Sequence, residues 1–150
     1  VQLLQGKIMT YSVIKKFGGF PCCHRQWKTS SHCSFLHGYD RIIEIEWEGP
    51  RDEIGWVLDF GGLKKLRELF EKQFDHTTLI SPDDPYLPEM RKLHNDSVID
   101  LRVMDPTMEG MTSWVAQKTE AFTKVVTPEA KVIRVECWEN EKNAAIWSLK

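Results

Sequence analysis

The stretch "CSFLHGYDR", residues 33 to 41, sets a thiol, an imidazole and a phenol within seven positions, just before a run in which isoleucine and glutamate alternate. On a strand, residues two apart project to the same side, so His37 and Tyr39 face one point, and His24 on a neighbouring strand can join them. Imidazole is the commonest nitrogen ligand of zinc, and a catalytic zinc takes three protein ligands and keeps a fourth position for water or substrate. Cys33 lies in the polar run "TSSHCS"; a thiol there, turned to thiolate by a nearby cation or metal, would serve as base or nucleophile. Asp75 and His76 offer a carboxylate and an imidazole side by side, the pairing that shuttles protons near neutral pH. Plain alternatives stand beside each of these readings. The histidines satisfy local backbone groups, His76 complements the negative end of a helix, and Glu136 is a solvated strand residue rather than a bidentate acceptor for a guanidine-like edge. Cys137 reads as a buried, inert thiol.

These groups need elements to position them. "KIMTYSVIKKF" has the β-branched and aromatic content of a strand, and the Gly18-Gly19 pair that follows predicts a bulge or bend before "FPCCHRQW". "RIIEIEWEG" predicts a half-exposed strand, with Ile43, Ile45 and Trp47 on one face and Glu44, Glu46 and Glu48 on the other. Leu63, Leu66, Phe70 and Phe74 recur at helical spacing and predict a first helix ending just before Asp75. Residues 81 to 106 open on the turn-rich "SPDDPYLP", allow a short helix over 86 to 94, and carry one strand-like patch, "VIDLRV". A second long helix is expected from Thr107, whose hydroxyl can cap it while Glu109 complements the positive end of its dipole. "AKVIRVECW" alternates Ile133, Val135 and Cys137 against Arg134 and Glu136, and "AAIWSL" supplies a last strand. The order of elements implies an α+β fold, an antiparallel sheet with two helices on one face, and excludes a doubly wound parallel sheet.

The totals agree with one ordinary domain. The chain has 150 residues, 28% of them charged and 41% hydrophobic, with a formal net charge of −2, which gives no sign of nucleic-acid binding and no run long enough to span a membrane. Four cysteines, Cys22, Cys23, Cys33 and Cys137, follow no disulfide-framework spacing, so reduced thiols and a cytoplasmic location are expected. Residues 1–8 precede Met9 and are read as an upstream remnant without function, leaving a single domain over 9–150.

Taken in order, six motifs resemble those of the 6-pyruvoyl tetrahydropterin synthase and 6-carboxytetrahydropterin synthase family. "FPCCHR" (20 to 25) is similar to its Phe-x-Ala-Ala-His-Arg, "CSFLHGYD" (33 to 40) to its Cys…Leu-His-Gly-His, and "GWVLDFGGLK" (55 to 64) to its Gly-x-x-x-Asp-Phe-x-x-Leu-Lys. "FDHTTL" (74 to 79), "DPTMEG" (105 to 110) and "VECW" (135 to 138) resemble its Asp-His pair, helix-opening Pro-Thr-x-Glu and pterin-anchoring Glu.

The resemblance implies a tunnelling fold whose subunits ring into a β-barrel and stack, usually as a hexamer, with active sites between subunits. It implies 7,8-dihydroneopterin triphosphate as substrate, zinc held by His24 and His37, and Cys33 as the base that removes a substrate proton. Asp75 and His76 would then relay protons, with Glu136 binding the pterin amino edge and Thr107 and Glu109 helping to fix the ring. The three-residue gap between Cys33 and His37 resembles the carboxy-forming branch, which feeds queuosine and other 7-deazaguanines; a pyruvoyl-forming activity and a non-catalytic pterin-binding role are the alternatives. Tyr39 stands where the family has its third zinc-binding histidine, and a phenol, with an ordinary pKa of about 10, is a poorer ligand at neutral pH. The third place then belongs to Tyr39 as phenolate, to His32 or Cys22, or to no residue.

Overall fold

The computed structural model describes residues 2–149. A small hairpin of β1 (Leu3–Leu4) and β2 (Lys7–Ile8) precedes the main sheet. Two long strands form the centre of that sheet, β3 (Tyr11–His24) and β4 (His37–Gly49), paired antiparallel from Tyr11↔Gly49 to His24↔His37. The chain continues through α1 (Lys64–Phe74), β5 (Thr77–Ile80), α2 (Leu87–Asn95), β6 (Leu101–Val103), α3 (Met108–Val126), β7 (Lys131–Trp138) and β8 (Ala144–Ser148). The sheet order is β6-β5-β3-β4-β7-β8.

The fold is α+β as the sequence implies, with two refinements. The sheet is mixed: β3, β4, β7 and β8 pair antiparallel, whereas β5 runs parallel to β3 and β6 parallel to β5. A third helix, α2, accounts for the second parallel pair, because a strand that returns through a helix comes back in the same direction. Strands this short, four and three residues, carry too little alternation to reveal their direction in sequence.

Ile43, Ile45 and Trp47 on β4 are fully buried, and so are Leu66, Phe70 and Phe74 of α1 and Met111 and Val115 of α3. Both helices therefore cover one face of the sheet, with Phe17 set edge-on to Phe70 and Phe74 to Trp114, each pair 5.2 Å apart. The Trp47 indole donates to Thr123 Oγ1 at 2.9 Å, which satisfies its one polar atom inside the core. A smaller cluster of Ile80, Met90 and Leu101 fixes α2 to the β5–β6 edge. On β7 the register shifts between Glu46↔Arg134 and Trp47↔Val132, so Ile133 is the extra residue of a bulge. Val132, rather than Ile133, takes the fully inward place.

The second bulge matters most. Pairing passes from Phe17↔Ile43 to Phe20↔Arg41, three steps along β3 against two along β4, so β3 carries one additional residue. Before the bulge Phe17 faces the core, and after it Phe20, Cys22 and His24 do, so the inward parity changes from odd to even. Without it His24 would point to the opposite side of the sheet from the core. Gly18 makes this possible: its φ is +138°, and a Cβ there would stand 2.8 Å from the Arg41 carbonyl oxygen. Gly18→Ala is expected to lower stability by about 2 kcal/mol, read as a reduced urea midpoint; an unchanged midpoint would contradict the need for glycine.

Candidate active site

The bulge delivers His24, the last residue of β3, directly opposite His37, the first of β4. Their rings are 4.6 Å apart between centroids. His24 is buried, 7% exposed, and its Nδ1 lies 2.7 Å from the Pro106 carbonyl oxygen, just ahead of α3. A carbonyl only accepts, so Nδ1 carries the proton and donates, which leaves Nε2 with its lone pair. His37 repeats the arrangement on its own loop, with Nδ1 2.7 Å from the Phe35 carbonyl oxygen. Fixing one ring nitrogen by a hydrogen bond so that the other is free is how metal-binding histidines are oriented.

Burial holds the His24 pKa below the ordinary histidine value, and the nearby Arg41 guanidinium adds to that effect. The neutral imidazole that results is the form able to bind a metal. His24 Nε2 is a buried nitrogen with no hydrogen-bond partner. Among the described residues, ligand atoms of His24, His37 and Glu139 lie within 4.8 Å of one another. An orphaned buried lone pair beside a second free imidazole fits a zinc site.

The loop between β3 and β4 holds Cys33 in a single 3-10 turn, His32–Ser34, capped by Ser31. Arg25 secures that loop: Nη1 donates to the Ser34 carbonyl at 3.0 Å, and Nε and Nη2 clasp the buried Asp84 at 2.7 and 3.1 Å. Such a bidentate pair is both strong and directional. The arginine after His24 in "FPCCHR" thus sets the position of the cysteine loop.

Asp75 and His76 follow α1, with Asp75 Oδ1 2.8 Å from His76 Nδ1. His76 has φ +59°, an uncommon backbone state for a residue other than glycine, and its side chain is 80% exposed. It borders a cleft of about 880 Å³ together with Cys23, Tyr39 and His94. The Tyr39 ring stands edge-on to His37 at 6.0 Å and is 41% exposed. Cys22 points its thiol to Thr77 Oγ1 at 3.6 Å, and His32 lies in the exposed part of the cysteine loop.

Glu136 is buried and ion-paired with Arg134, which also reaches Glu44 at 3.3 Å. Thr107 caps α3 as expected, its Oγ1 accepting from the Gly110 N–H at 2.9 Å, and Glu109 lies in the first turn. The single chain therefore joins His24 and His37 at one point, sets Tyr39 and His76 along a cleft that Cys23 and Gly38 also line, and leaves Cys33 and Glu136 on a loop and on β7. Glu139 is the residue that sequence reasoning missed. It follows β7 in a turn, about a hundred positions from His37, where no spacing rule connects the two.

Comparisons with known proteins bear on the family and the fold. A family model described as 6-pyruvoyl tetrahydropterin synthase matches residues 13–149. A Rickettsia conorii protein named 6-carboxy-5,6,7,8-tetrahydropterin synthase is 29% identical over 108 residues, covering 71% of this chain and 77% of that protein. An Aquifex aeolicus protein of the same name is 23% identical, covering 91% of this chain and 97% of its own. The fold matches an uncharacterised Wolinella succinogenes protein at a TM-score of 0.78 and 21% identity, over 95% of this chain and 99% of that one. A Plasmodium vivax 6-pyruvoyltetrahydropterin synthase variant matches at 0.69 and 17% identity, over 93% and 97%.

The thiols should differ in reactivity. Burial pushes the Cys137 thiol up to about 12 and raises Cys22 as well, whereas Cys23 and Cys33 are partly exposed. Iodoacetamide on the native protein, mapped by mass, is expected to modify Cys33 and Cys23 and to spare Cys22 and Cys137 until denaturant is added. Native modification of Cys137 would contradict the packing of β7.

Proposed function

The chain belongs to the 6-pyruvoyl tetrahydropterin synthase family, and on that premise we propose that it is a 6-carboxy-5,6,7,8-tetrahydropterin synthase. It converts 7,8-dihydroneopterin triphosphate to 6-carboxytetrahydropterin with loss of triphosphate and a two-carbon fragment. The observation that carries this reading is the His24–His37 pair, with both Nδ1 atoms committed to carbonyls and His24 Nε2 making no hydrogen bond. The names of the Rickettsia and Aquifex relatives support the carboxy-forming branch, as does the short gap between Cys33 and His37.

His24 and His37 hold zinc (Zn2+), which when bound supplies Lewis acidity toward the substrate's side-chain oxygens. Cys33, presented by the loop that Arg25 ties down, takes the proton from the adjacent carbon as thiolate. Asp75 orients the His76 imidazole through Nδ1, and His76 moves protons between substrate and solvent. Glu136 accepts hydrogen bonds from the pterin amino group and ring N–H, exchanging part of its pairing with Arg134 for the ligand, with Thr107 and Glu109 at the ring's edge.

Cys33 lies on the β3–β4 loop, His76 after α1 and Glu136 on β7, and the family resemblance assigns them to a site shared between subunits of a hexamer. The outer edges of β6 and β8, and the exposed Ile146 on β8, leave sheet edges available for that assembly. Among the described residues no helix is long and apolar enough to cross a membrane; we place the enzyme in the cytoplasm, supplying queuosine and related 7-deazaguanines.

Purified protein incubated with 7,8-dihydroneopterin triphosphate, with and without zinc, is expected to give zinc-dependent 6-carboxytetrahydropterin by mass. Cys33→Ala should lower kcat at least about a hundredfold. A 6-pyruvoyl product would move the chain to the other branch, and pterin binding without turnover would make it a non-catalytic relative.

A further inference from the structure

Glu139 is held for a purpose that the strand pattern does not explain. It is the first residue after β7, where the β7–β4 ladder ends at Ile42↔Trp138. Its own N–H donates to the Asn143 carbonyl at 2.9 Å, and the Asn140 side chain accepts from the Lys142 and Asn143 N–H groups at 2.8 and 3.0 Å. A hydrogen-bonded turn therefore fixes its backbone. Its side chain is only 18% exposed and carries Oε1 to 3.2 Å from His24 Nε2.

His24 is held through Nδ1 by the Pro106 carbonyl, which turns its Nε2 toward the Glu139 carboxylate. The two are not aligned as a hydrogen bond, since Nε2 has no such partner. His37, its Nδ1 held by the Phe35 carbonyl, places a ligand atom within 4.8 Å of those of His24 and Glu139. Three potential ligand atoms gathered within 4.8 Å, with no hydrogen bond made by His24 Nε2, form a geometry that a cation between them completes. Donors bound tetrahedrally at zinc–ligand distances of about 2.0–2.1 Å stand roughly 3.3 Å apart, close to the His24–Glu139 separation. Tyr39 lacks these features: its ring is 41% exposed and meets His37 edge-on at 6.0 Å.

We propose that Glu139, and not Tyr39, is the third protein ligand of the cation site at His24 and His37, making it a two-histidine, one-carboxylate site. The inference rests on the reading of His24 and His37 as zinc ligands. Two histidines and a glutamate are an established zinc ligand set that leaves a fourth position open. The carboxylate also places a negative charge where Arg41 contributes a positive one, which a third neutral histidine would not do.

The test is metal affinity, independent of turnover. The full chain, stripped of metal, is titrated with zinc against a chromophoric chelator, and with cobalt(II) followed by its visible absorption. Glu139→Gln is expected to weaken zinc binding at least about tenfold, the lower end of what even an outer-shell loss costs at metal sites, and to change the cobalt spectrum. Tyr39→Phe is expected to keep the wild-type affinity and spectrum. Weakening by Tyr39→Phe alone, or equally by both, overturns the assignment while leaving a zinc site in place. Failure of the wild-type chain to bind zinc overturns the reading beneath it. Should Glu139→Gln not fold, judged by circular dichroism, Glu139→His decides: near-native affinity with an altered cobalt spectrum supports the carboxylate ligand, and an unaltered spectrum refutes it.

Discussion

Everything at the site depends on the register of β3 against β4. Antiparallel pairing that begins at Tyr11↔Gly49 reaches His24↔His37 only because one extra residue is absorbed at Gly18-Gly19. A ladder without that residue would still bury Phe17, Ile43 and Trp47, since those lie before the bulge. It would turn His24 to the far face, away from Pro106 and from α3. The core and the site are thus built on one pair of strands but answer to different halves of it, with the bulge as the joint.

Beyond the joint, the inward face takes on buried polar groups that are only partly satisfied. His24 is locked by the carbonyl ahead of α3, and Arg25 ties the cysteine loop to Asp84. Arg41 is fully buried, with Nη1 against the sulfurs of Met108 and Met111 at 3.1 and 3.4 Å and two guanidine nitrogens without partners. Burying such a charge costs several kcal/mol, and it adds to the effect of burial in lowering the His24 pKa. Stability yields to chemistry here: the same positions filled with apolar residues would pack better and bind nothing.

Much of this was legible in the sequence. Leu63, Leu66, Phe70 and Phe74 repeat at helical spacing and do face the core, the alternation of Ile43, Ile45 and Trp47 with glutamates marks a strand buried on one side, and Thr107 caps α3. What stayed hidden is non-local. The direction of β6 relative to β5 is set by the crossover through α2, not by the few residues of either strand. Ile133 alternates correctly in sequence, yet a bulge hands its inward place to Val132. Glu139 could not be found by spacing, because a turn after the seventh strand brings it to the end of the third.

The most direct measurement is anomalous diffraction at the zinc absorption edge from crystals grown with the metal. A single strong peak between His24 Nε2, His37 Nε2 and the Glu139 carboxylate is expected. A peak bound through the Tyr39 oxygen, or none near His24, would contradict the site that the β3–β4 register builds.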